Sequence, residues 1–193
     1  MANHEHSFSC LTGDGSGHLV CKVTGESSRE QPKDGVAMAF RACESGFSSG
    51  QPLLIETKRG SGAILGVRRF AEKFFPPRSR SEIESLASKL GIPEKSPIFL
   101  SSKIRAPHHT VSVDGMVGTK KRPYGEWHLA RHGVLILDEV EEFSRSTLEA
   151  LASKMRTDHH PVFVAAIAYS KSGHAERVLE LWKRLTSPMV VEI

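Results

Sequence analysis

Apolar residues along this chain fall into two kinds of run. Short unbroken runs occur in QPLLIET (51–57), GVLILDEVEEF (133–143, apolar over Val134 to Leu137) and PVFVAAIAY (161–169). Runs of this kind predict strands buried on both faces. Elsewhere the apolar positions recur every three or four residues, which predicts helices with one buried face. In SRSEIESLASKLG (79–91) that face is Ile83, Leu86, Ala87 and Leu90; Ser81 and Glu84 have capping-box spacing and Gly91 is the stop. SRSTLEALASKM (144–155) places Leu148, Leu151, Ala152 and Met155 together, and HAERVLELWKRL (174–185) does the same with Val178, Leu181, Trp182 and Leu185. DGVAMAFRACESG (34–46) predicts a helix ending at Gly46, and VRRFAEKFF (67–75) another. The polar, Gly-rich segment from Ile104 to Arg122, with its extended piece HHTVSV, reads as a hairpin or ordered loop. Buried strands alternating with helices imply an α/β fold with a mainly parallel sheet covered on both faces.

Residues 1–30 break this pattern. They are rich in Gly, Ser, His and charge, and only LVCKV (Leu19 to Val23) is strand-like. They read as a poorly ordered or appended segment ahead of a core over 31–193. His4, His6, Cys10, His18 and Cys21 fall within them, but their spacings match no standard zinc pattern.

Composition narrows the class. The chain has 193 residues, of which 39% are hydrophobic and 25% charged, as in an ordinary water-soluble domain. No apolar run approaches the roughly 18–20 residues of a membrane span, and MANHEHSFSC does not read as a secretory leader. Three cysteines (Cys10, Cys21, Cys43) with no C-x-x-C pair indicate reduced thiols and a cytoplasmic location. The formal charge of +4 is compatible with a nucleotide or nucleic acid partner without requiring one.

Two stretches carry candidate chemistry. ETKRGSGAILG (56–66) follows a strand and leads into a helix, the layout in which backbone N–H groups and a helix N-terminus hold a phosphate. Such a loop normally closes with Lys and then Ser or Thr; here those places hold Ala63 and Ile64. In GVLILDE, four apolar residues deliver Asp138 and Glu139 to the carboxyl end of a strand, where open α/β sheets bind ligands. An Asp at that point can help hold Mg²⁺ and a following Glu can orient water. A strand running into a solvated acidic turn, with Glu141 and Glu142 next, is the plainer alternative.

The segment Ile104 to Leu151 closely resembles the AAA+ ATPases of the magnesium-chelatase subunit I and ComM (YifB) group. Matching runs are Arg105 to Ser112 (RAPHHTVS), Gly125-Glu126, Leu129-Ala130, Gly133 to Glu139, Glu142-Phe143 and Leu148 to Leu151. Weaker similarity extends over Gln31 to Ile193. The resemblance implies a three-layer αβα P-loop core, ATP and Mg²⁺ as cofactors, and assembly with like or related subunits into rings. DNA is a further partner that it allows.

The resemblance also places a site. Its nucleotide loop falls on Thr57, Lys58, Arg59, Gly60, Ser61, Gly62, Ala63 and Ile64, with Asp138 as the Mg²⁺ position and Glu139 as the catalytic carboxylate. Thr57 stands for the loop's first Gly, Ala63 for its Lys and Ile64 for its Ser or Thr. Ala168 occupies the place of a polar sensor Asn, and Glu192 that of an Arg expected to reach a neighbour's nucleotide. The sequence ends at Ile193, where the helical lid begins in relatives, so the lid is expected to be absent. Four of these departures, at Ala63, Ile64, Ala168 and Glu192, fall at charge-handling positions, so the leading expectation is a pseudo-ATPase that acts through assembly. An active ATPase using Lys58 and Arg59, and a basic nucleic-acid-binding module using Lys120, Lys121 and Arg122, stay open as alternatives. By the same resemblance His108 and His109 order a loop near a subunit interface, and Tyr124 and Trp127 are candidate interface aromatics. Trp182 is expected in the core.

Overall fold

A computed structural model describes residues 20–21, 31–96, 99, 103–121, 124–158, 162–169 and 173–193. The strands are β1 (Val20–Cys21), β2 (Leu53–Glu56), β3 (Ile104–Arg105), β4 (Gly133–Leu137), β5 (Val162–Ala168) and β6 (Met189–Glu192). The helices are α1 (Gln31–Ser49), α2 (Ala63–Phe74), α3 (Arg80–Leu90), α4 (Val113–Val117), α5 (Glu126–Leu129), α6 (Arg145–Thr157) and α7 (His174–Thr186), with a 3-10 turn at Val140–Glu142. The strands form one sheet in the order β1-β6-β2-β5-β4-β3, and every pairing is parallel. Edge strand β1 lies inside LVCKV, the strand-like piece of the first thirty residues, and pairs Val20 with Val190.

The period-two geometry of the strands divides the core into two layers. Leu53, Ile55, Val134, Ile136, Ala165, Ile167 and Val191 face α1 and α2, meeting Ala39, Cys43, Val67 and Phe70. Leu54, Leu135, Leu137, Val164, Ala166 and Val190 face the other way, towards Leu148, Leu151, Val178 and Trp182 of α6 and α7. Both faces are thus covered, which is why these strands are apolar except at the last residues of β2 and β6, Glu56 and Glu192. Trp182 is fully buried, as expected. Cys43 is a buried free thiol, its pKa pushed up to about 12 by burial and then by the charge of Glu44. Among the described residues no helix is long and apolar enough to cross a membrane.

Four local expectations are corrected. Helix α1 runs through Gly46 to Ser49. The real stop is a Schellman closure beyond Gly46: Gln51 N–H donates to the Gly46 carbonyl (3.1 Å) and Gly50 N–H to that of Phe47 (3.2 Å). The cap of α3 is Ser79 with Glu82, two residues before the expected pair. Glu82 N–H donates to Ser79 Oγ (3.2 Å) and Ser79 N–H to Glu82 Oε2 (2.7 Å), while Glu84 instead accepts from Arg80 (2.9 Å). Both pairs have the S-x-x-E spacing; the earlier one also gains Lys103, which donates to Glu82 Oε1 at 2.8 Å.

The third correction concerns Ile104 to Arg122, whose described part is not a hairpin. Ile104–Arg105 pairs in parallel with β4 and HHTVSV leads into α4, because Ser112 caps it by accepting from Gly115 N–H (3.1 Å). Val111, Met116 and Val117 then pack on the core, so the apparent alternation is a cap flanked by anchors. Fourth, Trp127 is not an interface aromatic. It is 2% exposed and donates from Nε1 to Asp158 (3.1 Å).

The Lys103–Glu82 pair predicts a pH dependence. Lys103's hydrogen bond and then that of the Ser79 backbone hold the Glu82 carboxyl down at about 2, against its ordinary 4.5. A depressed folded pKa contributes stability above the unfolded value and loses it as pH falls from about 4.5 towards 2. The full shift corresponds to about 3 kcal/mol, but the carboxylate is 37% exposed, so screening reduces the expected contribution to about 1 kcal/mol. Urea unfolding at pH 6 and at pH 2.5–4 should show Glu82→Gln losing about that much less than wild type on acidification. Parallel losses in the two proteins would refute this.

Candidate functional site

The carboxyl ends of β2, β4 and β5 lie side by side, and three chain segments leave the sheet there. Leu137 runs into Asp138 and Glu139, Ala168 into Tyr169, and Glu56 into Thr57 and the glycine loop. Thr57 is buried: its N–H donates to the Ala168 carbonyl (2.9 Å) and its hydroxyl to that of Ile193 (2.9 Å). It therefore ties β2 to both neighbours. Below it, the buried Glu56 carboxylate is met by Lys183 of α7 at 2.8 Å.

The loop turns through Gly60 and Gly62, both at φ 84°, a conformation in which other residues are strained. Ser61 N–H closes it onto the Lys58 carbonyl (3.2 Å), and Ala63 N–H contacts Ser61 Oγ at 3.3 Å. Helix α1 sits directly beneath. A Cβ on Gly35 would stand 2.0 Å from the Ser61 carbonyl, and one on Gly66 would stand 2.4 Å from that of Val36. Ala63 is 1% exposed and Ile64 packs on the same apolar layer as Phe70 and Val67. Of the two positions that the resemblance assigns to a lysine and a hydroxyl, Ala63 is thus part of the hydrophobic core and Ile64, partly buried, packs against it.

Arg59, from this loop, crosses to the acidic corner. Its guanidinium forms an ion pair with Glu139 and lies 5.1 Å from the centre of the Tyr169 ring. Tyr169 donates its hydroxyl to Asp138 Oδ1 (2.9 Å) and its backbone N–H to Glu141 (2.8 Å). His109 Nδ1 stands 3.5 Å from the second oxygen of Glu139, a contact that becomes an ion pair when the ring is protonated. His108 stacks on His109 with centroids 4.0 Å apart. Glu139 itself has φ 54°, an uncommon conformation for a non-glycine residue.

The electrostatics follow from these contacts. Arg59's hydrogen bond is the main cause of the depressed Glu139 pKa, and burial of the carboxylate opposes it. Burial raises the Tyr169 phenol, and the hydrogen bond to Asp138 raises it further, so it stays protonated and donating. Both carboxylates that the resemblance marks out are therefore engaged by donors of the chain itself.

The structure brings Arg59, Asp138 and Glu139 together and adds two residues that the sequence reading missed in this role, Tyr169 and His109. The signal for Tyr169 was its place one residue after a buried strand; nothing in the sequence announced its hydroxyl bond. Lys58 is exposed beside the loop. Ala168 is buried in register with Glu56, and Glu192 lies beyond it, exposed at the end of β6. Lys120 and Lys121 are exposed, whereas Arg122 and His4, His6, Cys10 and His18 lie outside the described residues, as does the side chain of Cys21. Among the described residues no group of three or more side chains could hold a metal ion.

The family model for magnesium chelatase, subunit ChlI, matches residues 33–176, well over half of the chain. The chain belongs to this family. The YifB protein of Salmonella typhimurium is 28% identical over 177 residues, covering 78% of this chain and 35% of that protein. YifB of Escherichia coli K12 is 27% identical, covering 94% of this chain and 44% of its own length. The competence protein ComM of Haemophilus influenzae is 47% identical over a shorter stretch of 55 residues, 28% of this chain and 11% of that protein. This chain thus spans less than half the length of these relatives. Among solved structures, NtrX from Brucella abortus in complex with ATP superposes with a TM-score of 0.52 at 17% identity, over 88% of this chain and 39% of that one. Its ADP complex superposes equally well. The fold of this ChlI-family chain is that of the AAA+ P-loop core.

Proposed function

We propose that this ChlI-family domain is a non-hydrolysing AAA+ module that works by assembling with related subunits. The observation that carries the reading is the corner at Asp138 and Glu139. One carboxylate accepts from Tyr169 and the other pairs with Arg59, while the loop offers Ala63 and Ile64 in place of a phosphate-binding lysine and a metal-ligating hydroxyl. The residues present do not fit a magnesium–nucleotide complex. Phosphoryl transfer depends on positioned cations, and a missing arginine finger alone lowers the rate by about 10³–10⁵-fold. The backbone of Thr57 to Ile64, with Lys58 beside it, retains the shape for weak contact with a nucleotide such as those bound by NtrX, without turnover. The assembling unit is residues 31–193, and the setting is the cytoplasm.

Two measurements test this. In a phosphate-release assay the wild-type rate should equal that of Glu139→Gln; a rate that this substitution abolishes would establish an ATPase. Thermal unfolding with ATP should respond equally with and without Mg²⁺. A Mg²⁺-dependent rise that Asp138→Asn removes would restore the metal site. Sedimentation of the chain, alone and mixed with an intact ATPase of the same family, then tests assembly. Monomers in both samples would end that part of the reading.

A further inference from the structure

Helix α2 turns one side to solvent along its whole length. Leu65, Arg68, Arg69, Glu72 and Lys73 are all exposed and recur at i, i+3, i+4, i+7 and i+8. They form one stripe, opposite the face that Ala63, Val67, Phe70 and Ala71 bury in the core. We propose that this stripe, with the aromatic patch at its C-terminal end, docks an acidic peptide segment of a partner protein whose carboxylates lie between apolar side chains.

The cations of the stripe are available. Arg68 and Arg69 have no hydrogen bond, ion pair or ring contact among the described residues. Lys73 Nζ lies over the rings of Phe40 (5.2 Å) and Phe74 (5.1 Å), contacts that place the ammonium without neutralising it. Glu72 is the only carboxylate of the stripe, so three positive charges stand against one negative. Arg41 and Glu44 of the neighbouring α1 are of opposite sign and leave that excess unchanged.

Exposed apolar side chains flank these charges. Among the described residues Phe47, Leu65 and Phe74 are the large hydrophobics left 44%, 45% and 40% exposed, and all three belong to α1 and α2. The rings of Phe47 and Phe74 are 6.4 Å apart, Phe75 lies 5.3 Å from Phe47, and the exposed Pro76 and Pro77 follow. Leu65 stands at the other end of the stripe, roughly 14 Å along the helix axis at 1.5 Å per residue. A single exposed hydrophobe is ordinary on a protein surface; apolar anchors on both sides of unpaired guanidinium groups have the anatomy of a binding face.

This order of chemistry defines the partner. Charge complementarity asks for carboxylates opposite Arg68, Arg69 and Lys73, and a guanidinium can take a carboxylate in a bidentate pair. The ends ask for an aliphatic and an aromatic side chain. An extended segment advances about 3.3 Å per residue, so about four acidic residues bridge the two anchors. A nucleic acid fits less well, because Glu72 repels phosphate and Leu65 offers no ring on which a base could stack. None of these side chains belongs to the Asp138–Glu139 corner, so docking here does not depend on whether that corner turns over nucleotide.

The test titrates the full chain into a labelled peptide of one leucine, four glutamates and one phenylalanine, followed by fluorescence anisotropy. Saturable binding that weakens with added salt is expected. Arg68→Gln and Arg69→Gln should each weaken it by about two- to fivefold, the range of an exposed ion pair. Leu65→Ser should weaken it by about fivefold or more, the scale of an interface anchor. All three positions are exposed, so the variants keep the fold, which unchanged unfolding midpoints would verify. Arg177→Gln, at an exposed arginine of α7, should change nothing. Absence of saturable binding would overturn the proposal, as would equal binding of a peptide with glutamines in place of its glutamates, or an equal loss in Arg177→Gln. Tighter binding of single-stranded DNA that Arg68→Gln weakens would assign the stripe to nucleic acid instead. Self-association abolished by Arg68→Glu, without peptide binding, would assign it to a second copy of the chain, and either result refutes the acidic partner.

Discussion

Trp182→Ala is expected to lower the stability of this domain by about 3–5 kcal/mol, the usual cost of emptying a large aromatic site. Trp182 is fully buried on α7 and belongs to the layer that contains Leu54, Val164 and Val190, so its removal would leave a void in that layer. Domains are typically stable by about 5–15 kcal/mol, and such a loss is a large fraction of that. α7 also packs on the turn Val140–Glu142 and carries Lys183, the partner of buried Glu56. Damage there reaches the site from below. Urea unfolding followed by circular dichroism provides the measurement, with Trp182→Phe as a milder control. A loss below about 1 kcal/mol, the scale of an ordinary surface change, would contradict the packing described.

Gly66→Ala should be destabilising although helix propensity predicts the reverse. Alanine is favoured over glycine inside a helix by about 1 kcal/mol. At this position, however, the new Cβ would stand 2.4 Å from the Val36 carbonyl oxygen and 2.7 Å from the Ala39 Cβ. Neither neighbour is the end of a flexible chain, so α1 and α2 must separate. Overpacking of this kind costs about 1–3 kcal/mol, and backbone contact places it at the upper end, which leaves a net loss of about 2 kcal/mol. The urea midpoint should fall, and a rise would show that the helices part easily. Gly35→Ala acts on the same seam and would push directly on the Ser61 carbonyl.

The core was legible because parallel strands covered on both sides are buried at every position, and β4 and β5 are apolar along their whole length while β2 is so up to its last residue, Glu56. The acidic pair was legible because it ends such a strand. Other features depended on what lies opposite. Gly46 resembles a helix stop until the closure at Gly50 and Gln51 is seen, and Ser79 and Ser81 are equivalent caps until Lys103 distinguishes their glutamates. Tyr169 illustrates the same limit at the site. Its hydroxyl reaches Asp138 across 31 positions of sequence, a relation without local pattern. Arg59 could be placed in the loop from sequence, but its pairing with Glu139, 80 positions away, required the fold.

The Arg59–Glu139 and Tyr169–Asp138 contacts have a consequence for signalling. In a motor, the distance between loop and acidic corner is a variable that the bound nucleotide sets and neighbouring subunits read. On the non-hydrolysing reading proposed above, the chain's own side chains hold that distance, and the surface around the corner would carry no record of the ATP-to-ADP ratio. A partner docking on it would meet one shape in fed and starved cells alike, and the domain would serve an assembly as a fixed reference against which moving subunits work.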